Sequence, residues 1–325
     1  MRIIEPSVEI LEKVDVKSPY TFLEKIGRTC YKSEAKEGGA LDFCIRLEHG
    51  KHYAILEHYY VHLMVHMDMF KNYKTVSQKM PKHGAITMLG STMILTLPLR
   101  TFLEEQDVKD DLLELLVKKV AFHYPQLFRV QGLDIDGIRI LSDEELLEVI
   151  YYELKYLNMW LDYRDSEKEV EKHLTHTFHI TCDRGVTHEL VRHRLASFAQ
   201  ESTRYCNYSK DKFGNEITVI RPQFFEEGTE SYNIWKASCL DCEKSYFNLL
   251  NYGCSPQEAR SVLPNSLKTE IMITATEEEW QHILNLRYLG TTGAPHPQVK
   301  QIMKEVFKIL EYERDWRYSR YAEYR

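Results

Sequence analysis

The stretch Arg192-His193-Arg194-Leu195-Ala196-Ser197-Phe198-Ala199-Gln200-Glu201-Ser202-Thr203-Arg204-Tyr205 decides how the chain is read. It interleaves four positive or potentially positive side chains with the hydroxyls of Ser197, Ser202 and Thr203, and it holds no Gly or Pro. Just before it, Val186, Leu190 and Val191 fall at helical spacing and leave Glu189, Arg192 and His193 on a polar side. The pattern predicts a short helix ending near Arg194, then an ordered loop through Tyr205. Guanidinium groups held close together repel unless anions lie among them. Each also binds phosphate in a bidentate fork that a serine hydroxyl can supplement. The stretch therefore reads as a phosphate pocket. A solvated basic turn is the bland alternative, because charged residues mostly face water. It leaves the interleaved Ser197, Ser202 and Tyr205 unexplained.

Composition bounds the rest. The 325 residues suit one large domain or two smaller ones, and 43% hydrophobic residues suffice for a sizeable core. No run of eighteen apolar residues exists, and Met1-Arg2-Ile3-Ile4-Glu5-Pro6 is too polar for an export signal. A net charge of −7 argues against a general nucleic-acid binder, so any basic site is local. Seven cysteines with no export signal point to a reduced, cytoplasmic protein. No metal centre is assigned. Cys239 and Cys242 lie inside an expected helix without a second pair. His58, His62 and His66 share a face, but each reads as a hydrogen-bonded structural imidazole on a strand over 58–67.

In chain order, residues 3–10 alternate as a strand. Ser18 and Pro19 open a helix over 18–33, and a second helix covers 40–48. Amphipathic helices are expected at 105–123 and at 143–160, the latter opened by a Ser142/Glu145 capping box. His173–Thr181 and Ile217–Ile220 alternate as strands. A long helix spans 230–252, Ser255-Pro256-Gln257-Glu258 opens another, and Lys268–Ala275 is β-rich. Thr276, with Glu279 three residues on, caps a helix carrying Trp280, and 298–312 form the last helix.

Arg192-His193-Arg194, seven residues, then Ser202-Thr203-Arg204-Tyr205 resembles the signature of the flavin-dependent thymidylate synthases. Further segments are similar in the same order: His49-Gly50 to Glu57-His58, Ala259-Arg260-Ser261-Val262-Leu263-Pro264, Trp280 to Leu286-Arg287, and His296-Pro297-Gln298. The similar segments lie at 1–62 and 173–312. Residues 68–172 then read as a mainly helical insertion that serves packing or a subunit contact.

The resemblance implies a single α+β domain, a twisted antiparallel sheet with flanking helices, assembled as a homotetramer with shared active sites. It implies FAD reduced by NADPH, methylenetetrahydrofolate as carbon donor and conversion of dUMP to dTMP. Arg287 would be catalytic. Glu189, Arg192, Gln200, Ser202, Thr203, Arg204, Arg260 and Arg287 would bind dUMP. His58, Tyr60, Arg192, His193, Arg194, Gln200, Thr276, His282 and His296 would hold FAD. Gln200 stands where many members carry Glu, and Thr276 and Glu278 replace the usual Asn and Arg cofactor contacts. The alternatives are a pyrimidine-nucleotide hydroxymethylase on the same scaffold and a non-catalytic nucleotide- or RNA-binding homologue.

Overall fold

The computed structural model describes residues 1–11, 19–69, 84–157 and 163–320. The chain opens with strands β1 (Arg2–Ile4) and β2 (Ser7–Leu11), then helices α1 (Tyr20–Tyr31), α2 (Ala40–His49) and α3 (Tyr53–Leu56). Strands β3 (Tyr60–His66), β4 (Ala85–Leu89) and β5 (Thr92–Pro98) follow, then α4 (Leu99–Glu104) and α5 (Asp111–His123). Next come β6 (Ile138–Leu141), α6 (Asp143–Leu157), α7 (Tyr163–His173), β7 (Thr175–Asp183), α8 (Arg184–Leu190) and β8 (Ser197–Gln200). The chain continues through β9 (Thr218–Ile220), α9 (Glu230–Asn251), α10 (Pro256–Ala259), β10 (Lys268–Thr276), α11 (Glu277–Leu284) and α12 (Pro297–Arg320).

The class is α+β. One antiparallel sheet has the order β2-β7-β10-β8, a second has the order β4-β5-β3-β6, and β1 pairs β9 in a parallel ribbon. The β7–β10 ladder is the longest contact of the first sheet, running from Lys268↔Asp183 to Thr276↔Thr175. Alternation decides its two faces. Phe178, Ile180, Ile271 and Ile273 pack beneath Trp280 and Ile283 of α11 and Val299 and Met303 of α12. The Phe178 and Trp280 rings meet edge to face at 4.9 Å. Met272 and Ala199 point the other way, into the larger core built with α1, the second sheet and α5. There α1 and α2 pack so closely that a Cβ on Gly27 would sit 2.6 Å from the Phe43 ring.

Several boundaries differ from expectation. The α8 helix stops at Leu190, and part of the expected loop is the edge strand β8, because Phe198 and Ala199 find partners across β10. The helix expected from 105 starts at Asp111, where the Asp110 carboxylate accepts from the Leu113 N–H at 3.1 Å. The expected strand at 3–10 is two strands in different sheets, interrupted before Ser7. Ser18 lies outside the described residues, and Pro19 precedes α1. The Ser142/Glu145 box forms in both directions, as does the Ser255/Glu258 box. All seven cysteines are free thiols, Cys239 and Cys242 among them. Among the described residues no helix is long and apolar enough to cross a membrane.

Helices predominate among the described residues of 68–172, but these also supply β4, β5 and β6, which complete a sheet around β3. Met93, Ile94, Leu95 and Leu97 are buried on both faces of β5, a strand pattern rather than a helical stripe. A buried polar chain pins this sheet to α6 and α7. Asp143 lies 2.9 Å from His62 Nε2, and His62 Nδ1 lies 2.7 Å from Thr96 Oγ1. Thr96 Oγ1 lies 2.8 Å from His173 Nδ1, and His173 Nε2 lies 2.8 Å from Thr87 Oγ1. Thr87 donates to Glu169 at 2.5 Å.

Thr96→Val keeps the shape but strips both imidazoles of a partner. It should destabilise the chain by about 2–4 kcal/mol in a urea titration, the cost of two buried unsatisfied groups. An unchanged midpoint would show that the chain of bonds contributes nothing to stability.

Candidate active site

Two helix starts build the site. At the end of β7 the Asp183 carboxylate accepts from the Val186 N–H at 2.8 Å and from the Gln298 amide at 2.6 Å, which fixes the start of α8. At the end of β10 the Thr276 hydroxyl accepts from the Glu279 N–H at 3.2 Å and starts α11. A single π-helical turn, Asn285–Leu289, follows α11 and ends at Gly290, whose φ is +73°. Such turns often mark functional sites. This one carries Arg287.

Arg287 joins the two helices. Its Nη1 donates to the Glu189 carboxylate at 2.9 Å, its Nη2 to the Glu189 carbonyl at 3.3 Å, and its Nε to His193 Nε2 at 3.1 Å. A guanidinium has no lone pair to offer, so His193 Nε2 accepts, and a neutral ring carries its proton on Nδ1. Burial, then the positive fields of Arg287, His282 and Arg192, push the His193 pKa down to about 4. Glu279 Oε1 lies 3.9 Å from His193 Nδ1, and burial raises the Glu279 carboxyl above its ordinary value.

Around this trio opens a cavity of about 500 Å³ lined by Arg192, His193, Arg194, Leu195, Glu279, His282, Leu286 and Arg287. A second lobe of about 400 Å³ shares Leu195, Glu279 and His282, and adds Thr276 and Glu278. His193, Glu279 and His282 lie within 4.8 Å of one another, a spacing that suits a cation. Arg287 already occupies one His193 nitrogen, however, and three guanidinium groups line the same wall. The net field favours an anion.

The other expected phosphate ligands cluster elsewhere in the chain. The Ser202 N–H donates to the Cys30 carbonyl at 3.0 Å, which ties the turn after β8 to α1. Arg260 donates to the Thr203 hydroxyl at 3.3 Å, and Arg204 lies exposed over the Tyr205 ring. Gln200 ends β8. Its amide donates to Thr187 at 3.0 Å and to Thr269 at 3.2 Å, on the α8 side of the sheet.

Four expected cofactor ligands, Gln200 among them, line neither lobe. His58 is fully buried with Nδ1 2.7 Å from the Thr274 hydroxyl, and burial lowers its pKa to about 3. Tyr60 is buried at the start of β3. His296 sits by Phe224, the ring centres 6.1 Å apart. Thr276 and His282 do line the cavity. Sequence reasoning took Glu279 only as a capping partner, and it assigned no site role to Lys172 or Gly84–Ile86, which wall the second lobe. A buried acid inside a capping signal carries no second signal, and strand β4 comes from a stretch read as helical.

The model of the thymidylate synthase complementing protein family matches residues 130–313, more than half of the chain. The chain belongs to that family. The match excludes the N-terminal segment with His58 and Tyr60. The chain is 35% identical over 140 residues to the flavin-dependent thymidylate synthase of Pyrococcus furiosus, covering 38% of this chain and 57% of that one. It is 34% identical over 123 residues to that of Pyrococcus abyssi, covering 38% and 50%. It is 33% identical over 129 residues to that of Geobacter sulfurreducens, covering 38% and 51%. The chain spans about half the length of the curated relatives it matches. Among solved structures, a UMP/dUMP methylase PolB from Streptomyces cacaoi bound with 5-Br dUMP overlays with a TM-score of 0.39 at 18% identity, covering 52% of this chain and 85% of that one. An overlay that loose carries no argument.

The depressed His193 pKa has a signed consequence. Folded and unfolded chains both hold it neutral above its ordinary value of 6.5. As the pH falls from there toward about 4, the unfolded chain gains a proton that the folded chain refuses, so stability is lost across that window. Proton NMR of the His193 ring should show a midpoint near 4. In Arg287→Ala the midpoint should move upward, and an unmoved midpoint would remove Arg287 as one of its causes.

Proposed function

We propose that this chain methylates dUMP to dTMP, with methylenetetrahydrofolate as carbon donor and NADPH-reduced FAD as hydride source. The observation that carries the reading is Arg287, fixed by Glu189 and a neutral His193 at the wall of an arginine-lined cavity, in a chain of this family. The donor set fits an anionic flavin dinucleotide. Arg192 and Arg194 present forks to a pyrophosphate, and His193 and His282 offer ring nitrogens. The bound flavin supplies the hydride.

The chain's own residues do the rest. Ser202, Arg204 and Arg260 grip the nucleotide phosphate, and Thr203 holds Arg260 in place. Arg287 faces the pyrimidine, where its fixed charge stabilises anionic character developing on the ring. Glu189 and His193 hold that guanidinium through three hydrogen bonds, so it is oriented before substrate arrives. Gln200 contributes a neutral amide, so it orients polar groups without taking a proton. The Ser202, Arg204 and Arg260 group does not line the Arg287 cavity. That separation supports a homotetramer in which one protomer's phosphate grip completes another's flavin cavity. Seven free thiols support a reducing, cytoplasmic setting.

A visible spectrum of the chain with FAD should show a bound flavin that bleaches with NADPH and shifts on adding dUMP. No flavin binding at saturating FAD would overturn the reading. Arg287→Ala should keep the flavin and lose turnover by about 10²–10³-fold, the usual effect of removing one preorganised donor. Full activity in that variant would take the catalytic role from Arg287. Arg204→Ala should weaken dUMP binding by at least tenfold, and unchanged affinity would place the phosphate elsewhere.

A further inference from the structure

The second lobe of the cavity has walls from two parts of the chain. Thr276, Glu278, Glu279 and His282 come from the start of α11, and Leu195 from the turn after α8. The opposite wall is Gly84, Ala85 and Ile86 at the start of β4 and Lys172 near the end of α7. These four belong to the stretch between the second-sheet strand β3 and the motif-bearing strand β7. That stretch therefore reaches the site and closes one side of it.

The chemistry of this lobe differs from that of its neighbour. The first lobe has three arginines. The second has one lysine against two glutamates, so a second anion gains little there. It offers apolar walls in Ala85, Ile86 and Leu195. The exposed Glu278 carboxylate is an acceptor, while Lys172 and the Thr276 hydroxyl can donate. Strand β4 is an outer strand that pairs only β5 among the described strands. An outer edge carries backbone N–H and C=O groups in alternation. A neutral, planar, amine-bearing ring matches this set: apolar faces, an amine donor and ring-nitrogen acceptors. Because the lobes share Leu195, Glu279 and His282, one ligand can fill both.

We propose that the inserted wall, Gly84–Ile86 with Lys172, forms the seat for the purine nucleoside half of a dinucleotide whose pyrophosphate lies in the arginine-lined lobe. The proposal rests on the flavin reading and makes Lys172 a ligand-binding residue. Lys172 also pairs with Glu169, the carboxylate that accepts from Thr87, so α7 and β4 hold the lysine at the rim. The lysine restores a cation beside an α11 start that carries only acids in its first turn, Glu277, Glu278 and Glu279.

The test is calorimetric titration of the full chain with FAD, FMN and ADP, for the unaltered chain and for Lys172→Met, Glu278→Ala and Ala85→Leu. FAD should bind at least tenfold more tightly than FMN. Each variant should lose at least fivefold in FAD and ADP affinity while FMN binding stays within twofold. Glu278→Ala alters an exposed side chain and keeps the test readable if Lys172→Met loosens α7. Equal affinity for FAD and FMN, or equal losses for both in the variants, would overturn the proposal. If neither flavin binds the unaltered chain, the flavin reading falls. ADP then decides this seat alone: binding that the three variants weaken upholds it, and no ADP binding overturns it.

Discussion

The nine-pair antiparallel ladder between β7 and β10 is the constraint on which the rest depends. Its two strands end at opposite ends of the ladder, and each ends in a residue that caps a helix: Asp183 for α8 and Thr276 for α11. The helices run toward each other across one face. The ladder is ~30 Å long, while α8 and α11 rise ~10 and ~12 Å. The remaining gap is spanned by the π-helical turn and the turn after α8. Arg287 and Glu189 meet there. A one-residue slip would send Phe178, Ile180, Ile271 and Ile273 to the wrong face and part the two side chains.

Much of this was legible because each element carries its own boundary signal. Thr276 before a run of acids, Ser142 with Glu145, and Ser255 with Pro256 and Glu258 all cap where expected. The alternation at 173–181 reads as β7, which runs Thr175–Asp183. Illegible elements owe their state to distant partners. Strand β8 has only four residues, and pairing with β10 makes it a strand. Strands β5 and β6 likewise pair with β3, from earlier in the chain, and β4 pairs with β5.

The site divides in the same way. Arg192, His193, Arg194, His282 and Arg287 stood out as chemistry-bearing residues and share one cavity. Sequence could not show that Arg287 donates to His193, because that contact spans ninety-four positions and depends on where two helices stop. The lysine at the rim was hidden for a simpler reason. One lysine among the charges of α7 looks like any solvated helix residue until β4 and α11 are seen beside it.

The polar thread from Asp143 to Glu169 has a consequence for where its hydrogens sit. With Thr87 giving its hydrogen to Glu169, His173 must donate from Nε2 and accept at Nδ1, so Thr96 gives and His62 donates from Nδ1. That leaves His62 Nε2 facing a carboxylate, and the contact needs one more hydrogen than a neutral ring and an ionised acid possess. The direction set at Glu169, a carboxylate that Lys172 also pairs, is thus carried through both threonines to the far helix, and α6 and α7 are linked by hydrogens that all point the same way.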